Sequence, residues 1–323
     1  MTWTRKATLR APRALPTDRR DDCSGAPGGA TPIRITVGVH RQLSNAGYQS
    51  LACRGAAGRG VFWRVVPIPA IDNYLPVRAR VRYQPLFRAL HRIALRGLGY
   101  GNSDPASNGE TALLERMAKA WPDPPTVVDV GAHVGEWTSA VLAVAPTASI
   151  YALEPAADPY RELVARVGQR SRTFQLGLSD EPGELPLWAP PNAPALASLH
   201  RRDLRQFGMT VEQGASVTLT TLDRFCAEEN IEHIHLLKLD AEGHELAILR
   251  GATHKLNARA IDAIQFEFGG CNLDSRTYIR DFRNILVTHG YRLYRILSDG
   301  LARCDDSESA EIFTNSTFIA SRE

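Results

Sequence analysis

A row of acidic strand ends constrains this chain more than any other feature. From residue 110 onward, short β-branched runs alternate with amphipathic stretches of roughly ten to fifteen residues. In order they are ETALLERMAKAW, TVVDVGA, GEWTSAVLAVA, SIYALEP, DPYRELVARVG and RTFQLGLSD, then an edge pair suggested by GELPLWA and SVTLTTL. LDRFCAEEN, IHLLKLD, HELAILRGATHKL, IDAIQFEF, TYIRDFRNILVTHG, YRLYRIL and NSTFIAS follow. This alternation predicts βαβ crossovers and a mostly parallel sheet covered by helices on both faces. Ligands of such sheets bind beyond the carboxyl ends of the strands, near the point where strand order reverses. The first five strands end on Asp129, on Glu154 and Pro155, on Ser179 and Asp180, on Asp240-Ala241-Glu242-Gly243, and on Glu267. A single carboxylate of this kind is most simply a solvated group or a helix cap. Five in register predict a site.

The loop after the first strand selects the class of ligand. A dinucleotide fold needs a glycine at the middle of GxGxxG so that the backbone can approach a pyrophosphate. Here the run is Gly131-Ala132-His133-Val134-Gly135, with His133 in that middle place. A side chain there disfavours pyrophosphate and leaves room for a smaller zwitterionic group. Gly131 permits a tight turn and Gly135 a close approach of the next helix. The pattern suits the amino-acid end of S-adenosylmethionine on the backbone of this turn, with Asp129 beneath it. Glu154, closing the next strand, is placed to accept hydrogen bonds from two ribose hydroxyls. Ser179 and Asp180 are placed beside the adenine, with an acidic turn cap as the equal alternative for Asp180.

VVDVGAHVGEWT, YALEP, LGLSDEPGEL, TLDRF, LLKLDAEGHELAILRGA and IQFEF occur in the order seen in the FkbM family of S-adenosylmethionine-dependent methyltransferases, which the chain resembles over roughly residues 108–297. LKLDAEGHELAILRGA is the most specific block. The resemblance implies a Rossmann-like class I methyltransferase fold of three αβα layers, with a mostly parallel seven-stranded sheet and one antiparallel strand. It also implies S-adenosylmethionine as cofactor and an acceptor hydroxyl on a sugar, glycan or natural product. Asp129, Gly131, Gly135, Glu154 and Asp240 carry over position by position, whereas His133 stands where the family usually has Asn.

Methylating a hydroxyl requires in-line placement and a proton acceptor, because a neutral alcohol is a poor nucleophile. Asp240, Glu242 and His244 cluster at the end of the fourth strand. Asp240 is expected to organise donor or acceptor, Glu242 or His244 to act as base, and Glu267 to contact the acceptor. Negative charge at a helix N-terminus accounts for Glu242 and Glu245 without any catalysis. Asp240 and Glu267 offer hard oxygen ligands and His233 and His235 nitrogen ones, but no metal is expected, since HIHLL reads as a strand. Residues 189–216 interrupt the alternation, and a connection of that length is usually functional or disordered. A substrate-covering lid carrying Ser198, His200, Arg201 and Arg202 is the functional expectation.

Residues 1–100 carry 17 Lys and Arg against 4 Asp and Glu, whereas residues 101–323 carry 21 against 31. Residues 1–60, rich in Arg, Ala, Gly and Pro, cannot bury enough apolar surface to offset their ordering entropy and read as a disordered basic arm. Residues 61–107 read as a helical extension, in which Leu86, Leu90, Ile93 and Leu98 follow a helical period and Arg88, Arg92 and Arg96 form a stripe. Residues 108–323 form the catalytic domain. Cys23, Cys53, Cys226, Cys271 and Cys304 show no metal-ligand spacing and read as reduced thiols. With no long apolar run and no secretory signal, a cytoplasmic protein without a membrane span is expected. The basic front end raises an RNA methyltransferase as one alternative, against which stand the acidic body and the absence of an Asn/Asp-Pro-Pro-aromatic strand end. A binding protein that keeps the fold without catalysis is the other.

Overall fold

The computed structural model describes residues 80–304 and 311–322. The arm expected over residues 1–60 and residues 61–79 of the expected extension lie outside the described residues. Gln84–Glu323 form one unit, and of the unit before it the description covers one 3-10 turn at Val81–Tyr83.

Helix α1 (Gln84–Gly97) leads into α2 (Pro105–Asn108) and α3 (Glu110–Ala118). The α/β alternation then runs β1 (Thr126–Val130), α4 (Glu136–Val144), β2 (Ser149–Leu153), α5 (Ala157–Val167) and β3 (Arg172–Phe174). Next come β4 (Gly177–Leu178), β5 (Gly183–Ala189), β6 (Glu212–Thr220), α6 (Leu222–Glu228) and β7 (Ile234–Leu239). The chain finishes with α7 (Glu245–Arg250), α8 (Thr253–Asn257), β8 (Ile261–Phe268), α9 (Cys271–Ser275), α10 (Ile279–Thr288), β9 (Arg292–Leu297), β10 (Gly300–Arg303) and β11 (Ser316–Ser321). Local chemistry sets several starts. Asp104 accepts the Ala106 N–H at 3.2 Å ahead of α2, whose first residue is proline, and Thr221 accepts the Arg224 N–H at the start of α6.

The main sheet has the order β10-β9-β11-β8-β7-β1-β2-β3. β1, β2, β3, β7, β8 and β9 run in one direction, and β11 runs against both of its neighbours, β8 and β9. The chain moves outward from β1 through β2 to β3, then returns to the other side of β1 with β7. That reversal leaves a crevice at the carboxyl end of β1. This strand order is that of the Rossmann-like class I methyltransferase fold. Leu113, Val141 and Leu163 of α3, α4 and α5 pack on one face, and Phe225, Leu246 and Phe282 of α6, α7 and α10 on the other. Phe282 and Phe318 stack on Phe266 at 4.6 and 5.5 Å between ring centroids, each such pair adding about 0.5–1.5 kcal/mol to burial.

Four details differ from the sequence expectation. The sheet has eight strands, not seven, because a two-residue turn at Ser298–Asp299 adds β10 antiparallel to β9. RTFQLGLSD divides: β3 joins the main sheet, and β4 pairs with β6 in a separate three-stranded sheet. GELPLWA and SVTLTTL do pair with each other, but in that smaller sheet. HELAILRGATHKL forms two helices, parted at Gly251, where a Cβ would lie 2.1 Å from the Ser179 carbonyl oxygen.

Candidate active site

Register places the polar groups before any loop does. Asp129 pairs with Lys238, and Lys238 with Gln265, across β1, β7 and β8, while Glu267 pairs with Thr317 across β8 and β11. Because side chains alternate along a strand, these five share the face covered by α3 and α4. The opposite face keeps Val128, Leu237, Phe266 and Phe318 in the apolar core.

Asp129 is fully buried; Thr138 donates to its Oδ2 at 2.6 Å, and its Oδ1 has no hydrogen-bond partner. Burial raises its pKa, opposed by Lys238. Lys238 donates to Asp240 Oδ2 at 2.7 Å, with its ammonium 5.4 Å from the centre of the Trp137 ring. Burial would lower its pKa, but Asp240 and Asp129 outweigh this and hold it above the ordinary lysine value. Glu267 is pushed to about 8 by burial and by Asp240, with Lys238 opposing. Glu110 completes the polar layer, accepting from Gln265 Nε2 at 2.6 Å and from Thr317 Oγ1 at 3.0 Å.

The glycine loop sits at the crevice. Gly131 adopts φ 77°, and a Cβ on it would lie 1.8 Å from the Asp240 carbonyl oxygen, so the ends of β1 and β7 touch only because this residue is glycine. Gly131 and Ala132 both donate to the Leu153 carbonyl at 2.9 Å. Glu154 accepts the His133 N–H at 2.9 Å and the Ala156 N–H at 2.8 Å. Burial pushes its carboxyl up to about 7 against the pull of those two bonds.

Past β7 the expected catalytic cluster divides. Asp240 points toward Lys238, as above. Glu242, at φ 49°, is bound by Arg202 Nη1 at 2.5 Å, while its carbonyl accepts from Ser198 Oγ at 2.8 Å. Burial, only partly offset by Arg202, raises its carboxyl to about 7. His244 lies between Ser179 Oγ, 2.9 Å from its Nε2, and His200 Nε2, 3.1 Å from its Nδ1. Burial and then the facing His200 lower its pKa to about 4. Ser198, His200 and Arg202 of the 189–216 segment therefore all fasten onto the 242–244 turn. Arg201 instead lies over the Trp188 ring at 5.5 Å. Glu245 takes the helix-start role, accepting the Ala241 and Gly243 N–H groups at 2.9 and 3.1 Å.

Three cavities meet here. One of about 60 Å³ is bordered by Gly131, Glu154, Pro155, Leu178, Ser198 and Asp240. A second, of about 190 Å³, is bordered by Gly131, His133, Glu154, Pro194, Asp240 and Glu242. The third, of about 520 Å³, lies under α2 and α3 between Glu110, Ala132, Trp137, Lys238, Asp240 and Glu267. Gly131 and Asp240 border all three. Ser179 and Asp180, expected beside an adenine, stand outside these linings, which take Gly177 and Leu178 from that part of the chain. Gly135 serves packing: a Cβ there would lie 2.9 Å from Leu163 Cδ1.

Lys238, Trp137, Glu110, Gln265 and Thr317 are the site residues that sequence reasoning missed. A charged residue inside LLKL was the available signal, since a lysine buried among strand leucines needs partners. Among the described residues, His233, His235 and Asp262 also approach one another at the opposite end of the sheet. There the His235 Nδ1 lone pair takes the Thr126 N–H at 2.8 Å, and His233 Nε2 pairs with Asp262 at 2.9 Å. That leaves His235 no lone pair for a metal.

The family model described as the methyltransferase FkbM domain matches residues 129–293, which is 165 of the 323 residues. Methyltransferase 1 of Beauveria bassiana (strain ARSEF 2860) is 28% identical over 148 residues, covering 41% of this chain and 59% of that protein. Methyltransferase sdnD of Sordaria araneosa is 30% identical over 158 residues, covering 40% of this chain and 61% of that protein. The chain thus spans about three fifths of the length of these curated relatives. A TehB-like SAM-dependent methyltransferase from Corynebacterium glutamicum ATCC 13032 Kitasato overlays with a TM-score of 0.38 at 12% identity, over 73% of this chain and 96% of that one.

Proposed function

The chain belongs to the FkbM family of methyltransferases, and from that premise we propose that it methylates a hydroxyl of a sugar, glycan or natural product held in the cavity between Trp137 and Glu267. The observation that carries this reading is the position of Asp240, which borders both the small cavities along Glu154 and the larger one beneath Trp137.

The residues present fit S-adenosylmethionine. The crevice gathers Asp129, Glu154 and Asp240 around a glycine turn, a donor set suited to a cationic sulfonium, and Asp129 Oδ1 lacks a hydrogen-bond partner. When bound, the cofactor supplies a methyl group made electrophilic by the sulfonium. Glu154 would hold the ribose hydroxyls with the lone pairs that His133 and Ala156 leave free, and the backbone of residues 131–133 would hold the amino-acid end.

Acid–base work then falls to the residues facing the larger cavity. Glu242 is committed to Arg202, and His244 to Ser179 and His200, so neither is the base in this reading. Burial and the neighbouring Asp240 favour the protonated form of Glu267, which donates a hydrogen bond to the acceptor. Asp240, ion-paired to Lys238, takes the hydroxyl proton. Trp137 offers a flat face for a sugar ring or apolar skeleton. The 189–216 segment, fastened through Ser198, His200 and Arg202, acts as the lid over Glu154.

The test is calorimetric binding of S-adenosylmethionine, followed by transfer of a labelled methyl to a panel of deoxysugars, glycans and polyketides. Asp240→Asn, measured at saturating cofactor, should lower turnover by roughly 10²–10⁴-fold, the range for losing a general base. An unchanged rate overturns the assignment of Asp240. Cofactor binding with no acceptor methylated in the whole panel favours a non-catalytic binding protein.

A further inference from the structure

Helix α1 has no part in the site and none of its residues is buried. Leu86, Phe87, Leu90 and Ile93 recur at helical spacing and are 55%, 37%, 48% and 66% exposed. Arg88, Arg92 and Arg96 recur at every fourth residue. At 100° per residue their row lies roughly 150° around the axis from the apolar one. No Asp or Glu occurs between Asp72 and Asp104, although the body from residue 101 onward has 31 acidic against 21 basic residues.

We propose that α1 docks the protein on the surface of an anionic lipid bilayer, lying in the plane of the headgroups. A segment with a leucine and phenylalanine face opposite an arginine face matches both layers of such a surface at once: the apolar side enters the acyl boundary and the guanidinium groups reach lipid phosphates. Its 14 residues rise about 21 Å, short of the roughly 30 Å needed to span the hydrocarbon core. Two copies packed through the apolar faces would cover the leucines but leave the arginine row without a counter-charge. The acidic body adds orientation, since an anionic surface repels it and attracts the basic front end that this helix closes.

The experiment is co-sedimentation of the full chain with vesicles of phosphatidylcholine alone or with about one third phosphatidylglycerol, at rising salt. The expected result is binding to the anionic vesicles that weakens with salt. Arg88→Gln, Arg92→Gln and Arg96→Gln together should weaken it roughly 100-fold, and Leu90→Ser with Ile93→Ser at least about tenfold. Unaltered thermal melts and circular dichroism of both variants show that the fold is kept. Three outcomes overturn the proposal. One is no sedimentation of the native chain. Another is binding that survives both sets of substitutions, which assigns it to the arginines before residue 80. The third is self-association abolished by the Leu90 and Ile93 changes without vesicle binding, which assigns the face to a second copy.

Discussion

Two turns flank the crevice and are built alike. In each, a residue other than glycine takes a positive φ, His133 at 48° and Glu242 at 49°, beside glycines at 82° and 102°. A buried glutamate braces each by accepting backbone N–H groups: Glu154 takes one from the first turn, His133, and one from Ala156 beyond its own strand, whereas Glu245 takes two from the second turn, Ala241 and Gly243. Burial raises both carboxyls to about 7. They differ in what lies on the far side. Glu154 borders two cavities, whereas Glu245 is only 1% exposed and borders none of the three described here. The same brace is thus a scaffold in one turn and, in our reading, both scaffold and ligand contact in the other.

The strongest way to break this likeness is at the glycines. Gly131→Ala should destabilise by at least about 3 kcal/mol, because a Cβ 1.8 Å from the Asp240 carbonyl oxygen forces β1 and β7 apart. Gly243→Ala places its Cβ 3.0 Å from the Cys271 carbonyl oxygen and should cost about 1–2 kcal/mol. Equal losses in thermal or denaturant unfolding would show that the two turns are equally tight.

The glutamates sharpen the contrast. Glu154→Gln should weaken S-adenosylmethionine binding roughly 100-fold, the loss of two charge-assisted hydrogen bonds, and also cost about 1–3 kcal/mol of stability. Glu245→Gln should cost a similar stability while changing affinity less than about threefold. Calorimetry of both variants decides the matter. A comparable loss of affinity in both would mean that Glu154 acts only as a brace.

Taken per pH unit, the pH dependence is the smallest effect, and its two parts have opposite signs. The folded pKa of either glutamate is above the ordinary 4.5, so the folded chain holds protons that the unfolded chain releases. Their contribution to stability is full below that ordinary value, falls by at most about 1.4 kcal/mol per pH unit for each group as pH rises to about 7, and is flat above. Cofactor affinity runs the other way. In our reading the ribose hydroxyls bind the Glu154 carboxylate, so affinity should rise up to about tenfold per pH unit until about 7 and then level. Glu245→Gln should reduce the stability slope alone, and Glu154→Gln should reduce that slope by as much and also flatten the affinity profile.

The glycine turn and the strand ends were legible because their chemistry is local: Gly131, Glu154 and Asp240 each terminate a strand whose pattern is plain. Lys238, Gln265 and Thr317 were not, because their role depends on register among strands distant in sequence. Glu110 reaches Gln265 across 155 residues and Thr317 across 207. The sequence also could not divide the Asp240–His244 cluster, since Glu242 and His244 turn toward Arg202 and His200 of a segment without regular pattern. The β9–β10 hairpin did leave a signal, the Ser298-Asp299-Gly300 turn between two apolar runs.

The reversal of strand order at β1 has a consequence for divergence. The crevice exists because the chain leaves β1 on one side and returns on the other, so its place is set by the path of the backbone and not by the side chains that border it. The connections reaching over it, residues 101–109 and 189–216, can then change length and composition without moving the point at which the two turns meet. On the proposed function, a site placed this way separates where a reaction happens from what it happens to, so new acceptors would be reached through edits to two connecting segments while the sheet stays as it is.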